Sequence, residues 1–204
     1  MTAFIVFEGG EGAGKSTQSR LLVERLQAES RDVLATREPG GTALAEEIRK
    51  LVLDPRHAPV DARAEALLFA AARAQHVAQV IRPALDNGTV VVCDRYIDSS
   101  IAYQGVARGL GVDRIAQLSD WATGSLLPDL TIVLDVAPTL GIDRATARTG
   151  PDRMEAEDSA FHERVRQTYT DCAKRDPDRY LVLDAGRSVE ELADQIWKRV
   201  QNLI

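Results

Sequence analysis

With two cysteines in 204 residues, the chain is no disulfide scaffold. Cys93 ends an apolar run and Cys172 lies on an apolar helical stripe, which predicts free, buried thiols in a reducing compartment. Long hydrophobic stretches are absent too. The longest apolar run, Ala66 to Ala72, has seven residues, whereas a membrane-spanning helix needs about 20. No membrane partner is expected. The N-terminal apolar stretch stops at Phe7 without a basic leader, so no secretory signal is expected and a cytoplasmic location is. Basic residues are not in excess: 25 Lys and Arg face 31 Asp and Glu, a net charge of −6. Such a chain is poorly suited to neutralising a nucleic-acid backbone, and no nucleic-acid partner is expected. No repeat, low-complexity tract or Pro/Gly/Ser-rich linker divides the sequence, which predicts a single domain over residues 1–204.

What is present is the composition of an ordinary globular protein, 45% apolar and 27% charged. Five runs read as strands: Ala3–Phe7, Asp32–Thr36, Thr89–Cys93, Leu130–Asp135 and Tyr180–Asp184. They are continuously aliphatic and β-branched, as in a parallel sheet buried on both faces. Helical periodicity fills the gaps at Lys15–Glu29, Ala43–Leu53, Ala62–Asp86, Asp113–Thr123, Ser159–Lys174 and Val189–Leu203. Alternating strands and helices predict an open three-layer α/β fold with a five-stranded parallel sheet. Ligands of such sheets bind beyond the carboxyl ends of the strands.

The first of those ends carries Gly9-Gly10-Glu11-Gly12-Ala13-Gly14-Lys15-Ser16-Thr17, which fits G-x-x-x-x-G-K-[ST]. Glycines let backbone N–H groups converge on phosphate oxygens, and the helix that follows adds its positive end. Lys15 suits the β- and γ-phosphates, and the Ser16 hydroxyl suits Mg²⁺. Two strand-end carboxylates compete as the second Mg²⁺ group, Asp94 and Asp135. Asp94 is preferred, because Arg95 follows it with a phosphate-binding fork.

A second site is indicated further along. Arg37 precedes the Pro39-Gly40-Gly41 turn. In Ala62–Asp86 the apolar stripe runs through Leu67, Ala70, Ala71, Ala74, Val77, Ala78, Ile81 and Leu85. Phe69 falls opposite it, with Arg73 one turn on, an arrangement able to stack on and hydrogen-bond a planar ring. Ser99, Ser100, Tyr103 and Gln104 follow Asp94-Arg95 into a helix and carry hydroxyl and amide groups suited to base edges. Arg144, Arg148 and Arg153 surround the Gly150-Pro151 break, which suits a lid over residues 144–156 that closes on phosphates.

Taken together, these motifs resemble bacterial thymidylate kinases. The resemblance runs from Phe4 to about Arg187 and rests on Phe7–Thr17, Thr36–Thr42, Leu67–Arg73, Asp94-Arg95-Tyr96 with Ala102–Gly105, Pro128–Thr131 and Asp152–Glu155. It implies a P-loop kinase that transfers the γ-phosphoryl of ATP to dTMP with Mg²⁺, as a homodimer. It also implies roles. Lys15 and the cradle amides would hold the ATP phosphates. Glu11 would bond the 3′-hydroxyl of dTMP, and Arg37 with Arg95 would grip its phosphate. Phe69 would stack on thymine, Arg73 would bond O4, and Ser99, Ser100, Tyr103 and Gln104 would complete the pocket. Asp94 would organise Mg²⁺ or the acceptor phosphate. The cradle lacks an arginine, so the lid, through Arg148 and Arg153, would supply the catalytic cation. Arg153→Ala is then expected to lower kcat by about 100-fold or more with little change in the KM for dTMP. Two rivals differ in legible features. Deoxynucleoside kinases lack a dedicated grip for an acceptor phosphate, and GTP switches carry an Asn-Lys-x-Asp base reader, which does not occur here.

Overall fold

The computed structural model describes residues 2–141 and 152–204. Five strands form one parallel sheet: β1 (Phe4–Gly9), β2 (Val33–Arg37), β3 (Val90–Asp94), β4 (Leu130–Asp135) and β5 (Tyr180–Asp184), in the spatial order β2-β3-β1-β4-β5. These α-helices accompany them: α1 (Lys15–Ala28), α2 (Ala43–Leu53), α3 (Ala62–His76), α4 (Arg82–Asp86), α5 (Ile97–Ser100), α6 (Val112–Thr123), α7 (Ser159–Arg175) and α8 (Val189–Val200).

The continuously apolar strands are buried on both faces, as their sequences require. Alternate residues point to opposite layers. Ile5, Phe7, Val90, Val92, Ile132 and Leu134 pack with Leu22 and Leu26 of α1 and with Leu192 and Ile196 of α8. On the other face, Phe4, Val6, Val91 and Cys93 meet Tyr96, Ile97, Val77 and Ile81, and Val133 meets Tyr103, Phe161, Val165 and Tyr169. The central β1 therefore ends between two layers, with β3 and β4 on either side.

Helix α8 starts on a capping box, Ser188 with Glu191. Asp61 and Thr42 cap α3 and α2 through their side chains. Two stretches depart from the α form. Val77–Ile81, between α3 and α4, and Ile101–Ala107, after α5, are π-helical. Wide turns of this kind often mark functional sites. Here the second buries four consecutive residues, Ala102 to Gly105.

The long helical rod corrects the expected stripe. Leu67 is 59% exposed, and Ala71 and Ala78 also face solvent. The inward side is polar as well as apolar: Glu65, Arg73 and His76 are buried beside Ala66, Ala70 and Ala72.

Candidate active site

Gly9 closes β1 with φ 139°, and a Cβ there would collide with the Leu134 carbonyl. Gly14 caps α1 in the left-handed region, at φ 91°. Only glycine takes both conformations readily. The loop between them runs from the end of β1 into the N-terminus of α1, where an anion cradle is expected. Lys15 is buried beneath it, and its Nζ donates to the carbonyls of Gly9 (3.0 Å) and Gly10 (2.7 Å). Burial and then the Arg95 charge lower the Lys15 pKa, against Glu11 and Asp94.

Strand pairing places Asp94 beside Phe7 on one side and Arg37 on the other. Ser16 Oγ donates to Asp94 Oδ2 at 3.0 Å. Asp94 Oδ1 is buried with no hydrogen-bond partner among the described residues. The rival carboxylate, Asp135, is held instead by Arg166 at 2.6 Å.

Next to the cradle lies a cavity of about 140 Å³. Its lining includes Glu11, Phe69, Arg73, Arg95, Ser99, Ser100, Tyr103 and Gln104, eight of the nine positions singled out for a second ligand. Arg37 is the exception. It is half exposed and pairs with Glu46 at 3.0 Å. Arg49 lines the wall in its place, and its pKa is lowered by burial and by the neighbouring charges of Arg37 and Arg95. The sequence reading missed Arg49. The available signal was its position four residues after Ala45 and one after Ile48, on the inward face of α2. Glu38, Pro39, Leu53, Asp152, Met154 and Glu155 complete the wall.

The polar groups of the cavity are fixed in place by one another. Arg95 has φ 69°, a left-handed conformation uncommon outside glycine. Its Nη2 donates to Glu11 Oε1 at 2.6 Å, and Tyr103 Oη donates to the same oxygen at 2.7 Å. Burial pushes the Glu11 carboxyl up, but Arg95, Lys15 and the Tyr103 bond outweigh it and hold it down to about 2. Arg95 Nη1 reaches Ser99 and Tyr169, both at 3.2 Å. Behind them, fully buried Glu8 accepts from Tyr96 N–H, Ser99 N–H and Ser99 Oγ. Burial and the charge of Asp98 push Glu8 up to about 7. Arg73 donates from Nε to Glu38 (2.6 Å), from Nη1 to Ser100 (3.0 Å) and from Nη2 to the Tyr96 carbonyl (2.8 Å). That uses three of its five N–H donors.

The structure does not bring Arg153 to this site. Its Nη1 donates to Glu65 at 2.6 Å, its Nε to the Val52 carbonyl at 2.7 Å, and it is 6% exposed. The backbone N–H of Arg153 bonds the Leu53 carbonyl, so this residue pins the end of the expected lid to α2 and α3. Arg144 and Arg148 lie outside the described residues.

The family model for thymidylate kinase matches residues 7–196. The chain belongs to the thymidylate kinase family. A thymidylate kinase of Symbiobacterium thermophilum is 50% identical over 204 residues, covering 100% of this chain and 95% of the relative. One from Pseudomonas putida is 54% identical over 187 residues, covering 92% and 90%. The crystal structure of thymidylate kinase from Ehrlichia chaffeensis superposes with a TM-score of 0.81 at 34% identity, covering 98% of each chain. The family's five-stranded parallel P-loop fold is the one described above.

Proposed function

We propose that this chain is a dTMP kinase, transferring the γ-phosphoryl group of ATP to dTMP to give ADP and dTDP. One observation carries the reading: a single cavity, bordered at Glu11 by the phosphate cradle, is lined by Arg49, Arg73 and Arg95, by Phe69 and by hydrogen-bonded base-edge groups. The amides of residues 9–17 and Lys15 hold the ATP phosphates. Arg95, with Arg49 on the same cavity wall, receives the dTMP phosphate, and the charge of Arg37 adds to theirs from outside the cavity. Phe69 stacks on thymine, and the two free N–H donors of Arg73 serve its O4. Glu11 accepts from the 3′-hydroxyl, while Tyr103 crowds the position of a 2′-hydroxyl. Ser99, Ser100 and Gln104 close the pocket.

The acceptor phosphate is anionic at neutral pH, so the reaction needs no strong base. One of its oxygens attacks the γ-phosphorus, and the bond to the β,γ-bridging oxygen breaks with its electron pair leaving on ADP. Catalysis is alignment and charge neutralisation. With Arg153 held by Glu65, the lid cation falls to Arg148, or to Arg144 four residues before it.

Mg²⁺ fits the corner formed by Ser16 and Asp94, because the Asp94 Oδ1 lone pairs are buried and unused. No group of three or more His, Cys, Asp or Glu among the described residues forms a metal cage. That suits an ion that takes one or two protein ligands and completes its shell with phosphates and water. When bound, it would neutralise phosphate charge there.

Free thiols at Cys93 and Cys172 fit a reducing cytoplasm, and no described helix is long and apolar enough to cross a membrane. The exposed Leu44, Leu51 and Leu67 on the packed neighbours α2 and α3 support a homodimer.

The test is coupled ADP release from Mg²⁺·ATP with dTMP, dUMP, dCMP and thymidine as separate acceptors. Strong turnover with dTMP and none with thymidine is expected. Turnover with thymidine would overturn the acceptor-phosphate grip.

A further inference from the structure

Gln104 lies on the π-helical stretch and lines the acceptor cavity, yet its amide is not free to turn. Its Nε2 donates at 2.8 Å to Oε1 of Glu65, a residue of α3 with no solvent exposure that does not itself line the cavity. A carboxylate oxygen accepts and does not donate. Turning the amide over would set its oxygen against Glu65 and leave two buried acceptors facing each other, which burial strongly disfavours. Glu65 can occupy this position because two guanidiniums balance it: Arg153 Nη1 at 2.6 Å and Arg108 Nη2 at 3.3 Å. With one Nε2 hydrogen committed to Glu65, the amide keeps for the cavity its oxygen, which is its one acceptor, and a second Nε2 hydrogen.

We propose that Glu65 is a specificity-determining positioning residue: by fixing the Gln104 amide with its oxygen toward the base, it makes the pocket demand a pyrimidine that carries N3–H. Thymine and uracil have that proton. Cytosine has a lone pair at N3 and is met by another acceptor. The inference rests on the dTMP reading of the cavity. Arg73, facing position 4, contributes its own discrimination and is unchanged by anything done at Glu65.

The experiment measures kcat/KM for dTMP and dCMP in the wild type, Glu65→Gln, Gln104→Leu and the double variant. Glu65→Gln lets the Gln104 amide turn, so the dCMP/dTMP ratio of kcat/KM should rise by about tenfold or more. In the Gln104→Leu background the same substitution should leave the ratio unchanged within about twofold, because Glu65 then has no amide to orient. A merely structural role predicts loss of activity on both substrates at a constant ratio, and that result overturns the proposal. A ratio that still rises with Gln104 gone also overturns it. Should Glu65→Gln not fold, Glu65→Asp carries the test: it keeps the charge beside both arginines and withdraws the oxygen from Gln104 by one methylene. A wild type that turns over dCMP as well as dTMP overturns the acceptor reading itself, and this proposal with it.

Discussion

Arg153 offers the sharpest separation between a lid cation and a structural arginine. Its guanidinium is buried, 2.6 Å from the fully buried Glu65, and it also satisfies the Val52 carbonyl. Arg153→Ala removes both bonds and leaves Glu65, among the described residues, with the 3.3 Å contacts from Arg108 and the 2.8 Å bond from the Gln104 amide. Breaking a buried ion pair from one side costs about 3–5 kcal/mol. In a domain of this size each kcal/mol shifts Tm by roughly 2–4 °C, so a fall of roughly 6–20 °C is expected. Arg148→Ala, on the segment that precedes it, should lower kcat by about 100-fold or more and leave Tm within about 2 °C. Differential scanning calorimetry and steady-state kinetics on the two variants settle the matter. An Arg153→Ala protein with unchanged Tm and a collapsed kcat would refute the reasoning, and would restore Arg153 as the closing cation that the sequence led us to expect.

Further outcomes follow from the same geometry. Phe69→Ala removes the stacking wall, and base–aromatic stacking is worth about 1–3 kcal/mol; the KM for dTMP should rise by roughly 5- to 150-fold while the KM for ATP stays put, as initial-rate kinetics with each substrate varied will show. Glu11 is held down to about 2 from an ordinary 4.5, so the unfolded chain binds the extra proton between those values. Its stabilisation is present above about pH 4.5 and is lost as pH falls toward 2. Glu8 is pushed up to about 7, so the folded state binds the extra proton between 4.5 and 7, and stability falls as pH rises through that window. Denaturation midpoints measured from pH 5 to pH 8 should therefore drop less for Glu8→Gln than for the wild type; equal slopes would count against the buried carboxyl. Leu67→Glu places a charge on the exposed α3 face and should convert a dimer to monomer in light scattering, with the fold intact by circular dichroism.

Much of the fold was legible because its signals are local. The ends of β4 and β5 and both ends of α2 fall where aliphatic runs and turn residues set them. The cradle follows from the spacing of Gly9, Gly14, Lys15 and Ser16, and the structure brings that sequence to the end of β1. What stayed hidden depends on partners distant in sequence. Apolar periodicity put Leu67 in the core, but the inward side of α3 is set by Glu65, Arg73 and His76, which are buried through ion pairs and hydrogen bonds with Arg153, Arg108, Gln104 and Glu38. Hydropathy treats such residues as surface and cannot see their partners. The two π-helical stretches have no period that a sequence scan seeks, yet the second sets Tyr103 and Gln104, adjacent in the chain, on one cavity wall. Arg153 illustrates the same limit. An arginine beside a Gly-Pro break reads as a mobile cation until Glu65, 88 residues away, is seen to hold it.

The central claim is transfer to an acceptor phosphate, and ³¹P NMR of the protein with Mg²⁺·ATP and dTMP tests it most directly. The account predicts that ATP and dTMP resonances decline together and give way to the paired doublets of dTDP and ADP, without accumulation of inorganic phosphate. Appearance of inorganic phosphate with dTMP unchanged would contradict it, since the γ-phosphoryl group would then be passing to water.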